Sequence, residues 1–233
     1  MRDLLTPARK RGHEILDEPD VDPRIVRRSL SDVALSNALF GGTRAVMREV
    51  ERALPELPPS ATLLDVGTGM GDIPARARTL ADGRGIRLST YGVDLAETLA
   101  QVAARSETTA VCGDARTLPF ADDAVDIATC SQTLHHFDDA EARLVIRELD
   151  RVARVRVVIA DLRRSWLAVG GLWAASFALG FHPVSRHDGM VSIRRGYTAS
   201  ELGDLVARSV AARPAVRHHL GWRVTASWTP QTA

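Results

Sequence analysis

A glycine-rich turn is the segment of this sequence best suited to hold a ligand against the backbone. Residues 65–72 (DVGTGMGD) follow an apolar run and carry glycines at alternate positions, in the pattern G-x-G-x-G. Glycines let the backbone approach a ligand closely and adopt positive φ, and the helix that we expect next offers free N–H groups at its start. This spacing differs from the G-x-G-x-x-G of dinucleotide-binding turns. A glycine turn by itself could also serve only to reverse the chain.

Two further aspartates, Asp94 and Asp114, end the next two predicted strands. A carboxylate at the first of these positions can accept from both hydroxyls of a ribose, as it does in dinucleotide folds. A carboxylate at the second can accept from an adenine amino group. Either residue alone could be a helix cap or a turn residue. Since parallel sheets bind ligands at the carboxyl ends of their strands, the set predicts a site for an adenosine-containing cofactor.

Histidines near the same edge could supply a general base. His135 and His136 follow the fourth predicted strand, where either could take a proton from a substrate. The alternative is that one of them bonds locally while the other packs. His182, His187 and Asp188 form a second group, in which the carboxylate could orient a histidine as a base. Alternatively, the Asp-Gly pair there is a solvent-facing turn.

The elements that must position these residues alternate between short apolar runs and helical segments. This alternation predicts an α/β fold, a doubly wound, Rossmann-like and mostly parallel sheet of seven strands. The tight connection at Leu220 and Gly221 predicts an antiparallel hairpin at its end. We predict strands at 62–66, 88–93, 110–112, 125–130, 155–160, 215–219 and 222–228, and helices at 32–39, 45–54, 73–80, up to Ala104, at 141–152 and at 200–210.

An uncharged, aromatic segment at residues 165–181 interrupts this pattern after the fifth strand. It is shorter than the roughly 20 apolar residues that span a bilayer, although arginines on both sides also suit an interfacial anchor. Its place before the last helix favours a helical lid with an apolar, aromatic wall over an acceptor pocket. We therefore predict an N-terminal helical segment (1–60) that helps to cover the pocket, and a catalytic domain (61–233) with a lid insertion (163–198). The predicted acceptor-binding residues are Trp166, Trp173, Phe177, His182, His187 and Asp188, with Phe181 in the same wall.

Composition narrows the classes of protein to consider. The chain has 233 residues, 45% of them hydrophobic, and a formal net charge of +1, which suits one well-cored domain and predicts no nucleic-acid partner. Cys112 and Cys130 lie in apolar runs and are expected to be small core residues. No metal-ligand spacing is evident, and the acidic N-terminus differs from a secretory signal. We expect a cytoplasmic protein, monomeric or homodimeric, that binds no metal.

The aspartates and glycines, together with 113–115 (GDA), 118–120 (LPF) and 126–137, resemble the class I S-adenosylmethionine-dependent methyltransferases. Within that class they are similar to the ubiquinone and menaquinone biosynthesis methyltransferases. The resemblance covers about residues 60–161 closely and the final helix and hairpin loosely. It implies that the glycine turn binds the methionine part of S-adenosylmethionine, and that Asp94 holds the ribose and Asp114 the adenine. The implied cofactor-binding residues are Asp65, Gly67, Thr68, Gly69, Gly71, Asp94, Leu95, Asp114, Ala115, Ser131 and Gln132.

Two segments outside this core, 35–43 (LSNALFGGT) and 182–193 (HPVSRHDGMVSI), resemble a bacterial subgroup often associated with polyketide pathways. The expected function is methyl transfer to a small aromatic or polyketide-derived acceptor, first at a hydroxyl oxygen, with His135 and His136 as the candidate catalytic residues. One alternative is C-methylation of a lipid quinone at a membrane surface. Others are a non-catalytic cofactor-binding scaffold and a different reaction of the same cofactor.

Overall fold

The computed structural model describes residues 5–18, 20–96 and 108–231, and its centre is a sheet of seven strands. The strand order is β3-β2-β1-β4-β5-β7-β6, with β1 to β5 parallel and β7 antiparallel to both of its neighbours. The predicted α/β class and the C-terminal hairpin are therefore confirmed. The strands are β1 (Ser60–Val66), β2 (Arg87–Asp94), β3 (Thr109–Cys112), β4 (Val125–Ser131), β5 (Ala153–Leu162), β6 (Ala215–His219) and β7 (Arg223–Trp228).

Helices cover both faces of this sheet, because β4 and β5 are apolar on both sides. On one face Val46 and Val50 pack with Ile127 and Val158, and on the other Ile146 belongs to the second core cluster. The α-helices are α1 (Pro23–Leu39), α2 (Gly42–Ala53), α3 (Asp72–Asp82), α4 (Asp139–Val152), α5 (Trp166–Ala178), α6 (Pro183–Arg195) and α7 (Ala199–Ser209). Short 3-10 turns span Ile15–Asp17, Leu54–Glu56 and Leu134–His136.

Two local predictions differ from the structure. Helix α1 begins at Pro23, where the Asp22 side chain accepts from Arg24 N at 2.7 Å. Asp32 lies inside the helix and does not cap it. Its buried carboxylate instead accepts hydrogen bonds from Ser185 in α6 and from His182 N, just before α6. Of the two free cysteines, Cys130 is buried as expected but Cys112 is exposed, since it ends an edge strand. The predicted helix ending at Ala104 falls mostly outside the described residues.

The apolar segment after β5 forms a helical hairpin, α5 and α6, above the carboxyl ends of the strands. Ser165 caps α5 by accepting from Leu167 N, and Pro183 opens α6, where a proline costs no helical hydrogen bond. Helix α1 packs against α6 and α2. In the part of the chain that the structure describes, no helix combines the length and apolar character needed to cross a bilayer. The hairpin and α1 together cover this end of the sheet, and we call α1, α5 and α6 the roof helices.

Candidate active site

The glycine turn leaves β1 and passes under the end of β2. Gly67 N and Thr68 N donate to Val93 O at 2.8 and 3.1 Å, which fixes the turn to the neighbouring strand. Gly67 has φ +72°, and a Cβ there would lie 2.1 Å from Thr133 Oγ1. A side chain is therefore excluded at Gly67 by both conformation and space. By contrast, a Cβ on Gly69 would meet no protein atom within 4 Å, so the turn is open on that side.

Asp94 ties the glycine turn to the end of β2. Its Oδ2 accepts from Gly69 N at 2.9 Å, and its Oδ1 accepts from Ala96 N at 3.0 Å. The neighbouring Leu95 is exposed. The structure thus brings Asp94 and the glycine turn together, as the sequence predicted. The contact of Asp94 with a ribose stays a prediction.

Asp65 is buried directly beneath the turn. Its Oδ1 accepts from Thr129 Oγ1 at 2.6 Å, while its Oδ2 has no hydrogen-bond partner among the described residues. Burial raises the pKa of Asp65 to about 7, against the effect of the Thr129 hydrogen bond, and the nearby Asp72 and Asp94 add to the rise. A buried polar atom without a partner costs free energy. This edge of the sheet therefore fits a ligand that carries hydrogen-bond donors and positive charge.

Ser131, at the end of β4, shares this property. Its hydroxyl oxygen is also buried and has no hydrogen-bond partner within the described ranges. Gln132 follows with a positive φ of 53°, held by a bond from its N–H to Ala160 O at 2.7 Å. A non-glycine residue in that conformation is uncommon and marks a constrained position. Both residues lie where β4 leaves the sheet, beside the end of β1.

Asp114 has a partner that the sequence analysis did not anticipate. Its carboxylate accepts from Arg116 Nε at 3.0 Å and from Arg116 Nη2 at 2.6 Å. These hydrogen bonds hold the pKa of Asp114 below its usual range. Asp114 and Ala115 follow β3 as predicted, so an adenine amino group would share the carboxylate with Arg116. The adenine contact stays a prediction.

A cavity of about 330 Å³ lies next to Gln132, under the roof helices. Its walls come from the 3-10 turn at Ile15–Asp17, from α1, from the turn after β4, from α5 and α6, and from the β6–β7 connection. Most of the surface is apolar, supplied by residues such as Leu30, Val33, Phe40, Leu162, Leu172 and Phe181. Such a pocket suits a largely apolar small molecule.

A buried histidine–aspartate pair faces this cavity. His135 Nδ1 lies 2.7 Å from Asp161 Oδ1, and His135 N donates to Asp161 Oδ2 at 3.0 Å. Burial would raise the pKa of Asp161, but the adjacent His135 outweighs it and holds that pKa below its ordinary value. His135 Nε2 is buried and has no hydrogen-bond partner in the described part of the chain. With Nδ1–H donating to the carboxylate, Nε2 is left as a proton acceptor.

His136 belongs to a second, more exposed network. Its ring stacks on His135 with centroids 4.4 Å apart, and its Nδ1 lies 3.4 Å from Arg195 Nη1. The same Nη1 donates to Glu14 Oε1 at 2.8 Å. Glu14, His135 and His136 each place a ligand-type atom within 4.8 Å of one another, but the Arg195 guanidinium already supplies the cation beside Glu14. We interpret the group as an ion-pair network that anchors the N-terminal segment.

The aromatic residues predicted to form the cavity wall lie elsewhere. Trp166, Trp173 and Phe177 are each about half exposed, at 49, 54 and 55%, and do not line the cavity. The physical reason is that α5 presents Ala168 and Leu172 inward instead, together with Gly171. Phe181 is the one residue of the predicted wall that does line the cavity.

The second histidine group is mainly structural. His182 is the N-cap of α6, where its Nδ1 accepts from Val184 N. His187 is half exposed and pairs with Asp188 at 2.8 Å. Asp188 lines the cavity, but its two oxygens accept from Ile15 N and Leu16 N. This aspartate therefore holds the N-terminal segment over the cavity.

Three residues of the site were missed by the sequence analysis. Asp161 could have been found, because it lies near the end of β5, where the strand-end rule that selected Asp94 also applies. Glu14 and Arg223 have no local pattern that marks them. Glu14 reaches the cavity because the N-terminal segment packs against it, and Arg223 because β7 pairs with β5.

The chain is similar in sequence and in structure to known methyltransferases. Residues 64–160 match a family model whose description is "Methyltransferase domain". A demethylmenaquinone methyltransferase of Roseiflexus sp. (strain RS-1) is 30% identical over 154 residues, which cover 64% of this chain and 63% of that protein. The chain therefore spans less than two thirds of the length of this relative.

Solved structures share the fold at low sequence identity. One is a SAM-dependent methyltransferase from Aquifex aeolicus, with a TM-score of 0.55 and 19% identity over 78% of this chain and 89% of that one. Another is magnesium protoporphyrin IX methyltransferase from Synechocystis PCC 6803 with bound SAH, with a TM-score of 0.55 and 16% identity over 82% and 84% of the two chains. The family match begins in β1 and ends in β5, so it includes the glycine turn, Asp94, Asp114 and His135.

Proposed function

We propose that the chain is a class I S-adenosylmethionine-dependent methyltransferase, and that it methylates a hydroxyl oxygen of a small aromatic or polyketide-derived acceptor. The observation that carries this proposal is the His135–Asp161 pair, whose unpartnered Nε2 lies at an apolar cavity beside the end of β4. A phenolic hydroxyl must lose its proton to become a good nucleophile, and an oriented histidine is suited to take it.

The cofactor-binding residues of the proposal lie on the opposite side of Gln132. Asp65 and the glycine turn would hold the methionine part, Asp94 the ribose, and Asp114 with Ala115 the adenine. When bound, S-adenosylmethionine supplies a methyl group activated by a sulfonium charge. Asp65 and Asp94 are the carboxylates beside the turn, so they favour a cationic ligand there.

The residues of the cavity perform the remaining tasks. His135 Nε2 accepts the acceptor's proton, and Asp161 stabilises the resulting imidazolium while it holds the ring in place. The apolar side chains from α1, α5 and α6 exclude water from the cavity, and they hold the acceptor in a fixed orientation. Asp188 keeps the 3-10 turn at Ile15–Asp17 closed over the same space.

A second candidate function is C-methylation of a lipid quinone at a membrane surface. One observation favours it: α5 exposes Trp166, Leu167, Trp173 and Phe177, each close to half or more. Arg186 and Arg194 stand over two of these rings, at 4.2 and 6.0 Å. Aromatic residues on α5 beside cationic residues on α6 suit an anionic lipid interface. Co-sedimentation with vesicles that contain anionic lipid, lost in a Trp173→Ser/Phe177→Ser variant that still binds S-adenosylhomocysteine, would favour this candidate.

The test of the proposed function has two stages. Calorimetric titration with S-adenosylmethionine and S-adenosylhomocysteine measures cofactor binding, and mass spectrometry of reactions with a panel of phenols measures turnover. We expect binding of both ligands and a phenol product heavier by one methylene. Binding without any product would favour the scaffold, and a product without the methylene increment would indicate a different reaction. Well-folded protein that binds neither ligand would refute the proposal.

A further inference from the structure

Arg223 is a buried cation at the cavity with few partners. It opens β7 opposite Leu162 and is only 6% exposed. Its Nε has no hydrogen-bond partner in the described ranges, and its Nη1 makes one long bond, to Gly221 O at 3.3 Å. A guanidinium carries five N–H donors. Most of the hydrogen-bonding capacity of Arg223 is therefore unused, although the side chain lines the cavity.

Arg164 shows what a buried arginine with a purely structural role looks like in this fold. It is 4% exposed, yet it donates to Pro7 O and Gly196 O and to both carboxylate oxygens of Glu201. Arg223 has no carboxylate within ion-pair distance among the described residues, and Asp161 acts on it only at longer range. Burial lowers the pKa of Arg223 to about 10, so the side chain is still a cation at neutral pH.

The buried acids around the cavity are already paired with other groups. Glu14 accepts from Ser192 and Arg195, Asp32 from Ser185 and from the backbone N–H of His182, and Asp188 from the N-terminal backbone. None of them neutralises Arg223. The guanidinium is thus the one described cationic group at the cavity that lacks an ion pair, and burying it without a partner is costly.

We propose that Arg223 binds an anionic oxygen of the acceptor, so that the cavity selects acidic acceptors over neutral ones of the same shape. The inference rests on the proposed function and adds the substrate class to it. The oxygen belongs either to a carboxylate, which a guanidinium binds in a bidentate manner, or to an ionised phenol or enol. In the second case Arg223 would also promote ionisation of the oxygen that is methylated.

The first experiment needs no variant. Salicylate and salicylamide have nearly the same shape but differ in charge, and each is titrated into the full-length protein saturated with S-adenosylhomocysteine. We expect salicylate to bind about tenfold more tightly or better, because hydrogen bonds to a charged group are among the stronger ones. Equal affinities would overturn the inference. Failure of S-adenosylhomocysteine to bind would instead count against the proposed function.

Variants assign the preference to the guanidinium. Arg223→Gln is expected to bind the two probes equally, whereas Arg223→Lys keeps part of the preference for salicylate. Arg217→Gln is the matched control, since Arg217 lies on the neighbouring strand, pairs with Glu49 and does not line the cavity. Retention of the full preference in a folded Arg223→Gln protein would overturn the inference. If that variant does not fold, the lysine variant and the wild-type comparison still decide it.

A chromogenic phenol separates the two sources of negative charge. para-Nitrophenol turns yellow when it ionises, so a pH titration of the bound probe reads its ionisation directly. A shift of this titration to lower pH, absent in Arg223→Gln, would assign Arg223 to the reacting oxygen. An unshifted titration together with a preference for salicylate would assign it to a carboxylate. No shift and no preference would reject both.

Discussion

The edge at β1 and β2 and the cavity after β4 and β5 differ in where their residues come from. At the edge, Asp94 accepts from Gly69 N of the glycine turn, 25 positions earlier in the chain, and Asp65 directly precedes that turn. At the cavity, Arg195 donates to Glu14 and Ile15 N donates to Asp188, across separations of 181 and 173 positions in the chain. Local sequence therefore determines the edge, and tertiary packing assembles the cavity.

The two regions also differ in charge. The edge holds Asp65, Asp72 and Asp94 close enough for each of the other two to raise the pKa of Asp65. The cavity holds acids that have partners, together with Arg223, which forms no ion pair with any described residue. A positively charged ligand is favoured at the first region and a negatively charged one at the second. This contrast suits a reaction between a sulfonium and an oxyanion.

The largest effect should follow from removing the proposed base. His135→Asn and Asp161→Asn are each expected to lower kcat by about 10² to 10⁴-fold, because proton transfer by a positioned side chain contributes that much. Affinity for S-adenosylhomocysteine should stay unchanged, since the pair belongs to the cavity. His218→Asn, at an exposed position on β6, is the control. If affinity for S-adenosylhomocysteine fell by as large a factor as kcat, these cavity residues would also contribute to cofactor binding. The two regions would then not be functionally separate.

Asp65→Asn tests whether ionisation of the buried Asp65 carboxyl lowers the stability of the protein. A carboxyl with a raised folded-state pKa makes the protein less stable as pH rises from about 4 to about 7. Wild-type unfolding free energy should fall across that window, and the variant should lack this fall. We expect the variant's relative gain to be on the order of 3 kcal/mol larger at pH 8 than at pH 4.

Urea unfolding at both pH values measures this difference, with the exposed Asp82→Asn as the control. Parallel pH profiles for wild-type protein and the Asp65 variant would show that Asp65 is ionised without cost.

Asp94→Ala should affect the edge alone. We expect about 10 to 100-fold weaker binding of S-adenosylhomocysteine by calorimetry, because charge-assisted hydrogen bonds are lost. Asp114→Asn should cost less, since Arg116 already binds that carboxylate. Salicylate affinity should not change in either variant. A larger loss at Asp114 than at Asp94 would reverse their order of importance.

The smallest effects distinguish the members of the second histidine group. Asp188→Asn should lower the unfolding free energy by about 1 to 3 kcal/mol, because the acceptors of two backbone N–H groups are weakened. His187→Gln should stay within about 0.5 kcal/mol, as is usual for exposed positions. Urea denaturation of both variants measures the difference. Similar losses would mean that His187 supports the roof as much as Asp188 does.

The same contrast explains what could be predicted from the sequence. The strands were found because short apolar runs alternate with helical segments, and the glycine turn because its spacing is local. The start of α1 was wrong, since Asp32 is engaged by a helix that lies far along the chain. Trp173 was placed in the cavity because the composition and position of 165–181 predicted a lid, and neither says which side of a helix faces inward. Arg223 was missed because an isolated arginine in a strand has no pattern.

Because the β6–β7 hairpin comes late in the chain, the cavity is completed after the edge at β1 and β2 during synthesis. A chain made from its N-terminus has every residue of the proposed cofactor-binding edge once Gln132 has emerged. The cavity, however, is lined in part by Gly221, Trp222 and Arg223. Until these residues pair with β5, one edge of that strand is unpaired and the cavity lacks this part of its wall. The cavity, and with it the proposed selection of acceptors, is therefore completed later in synthesis than the edge at β1 and β2.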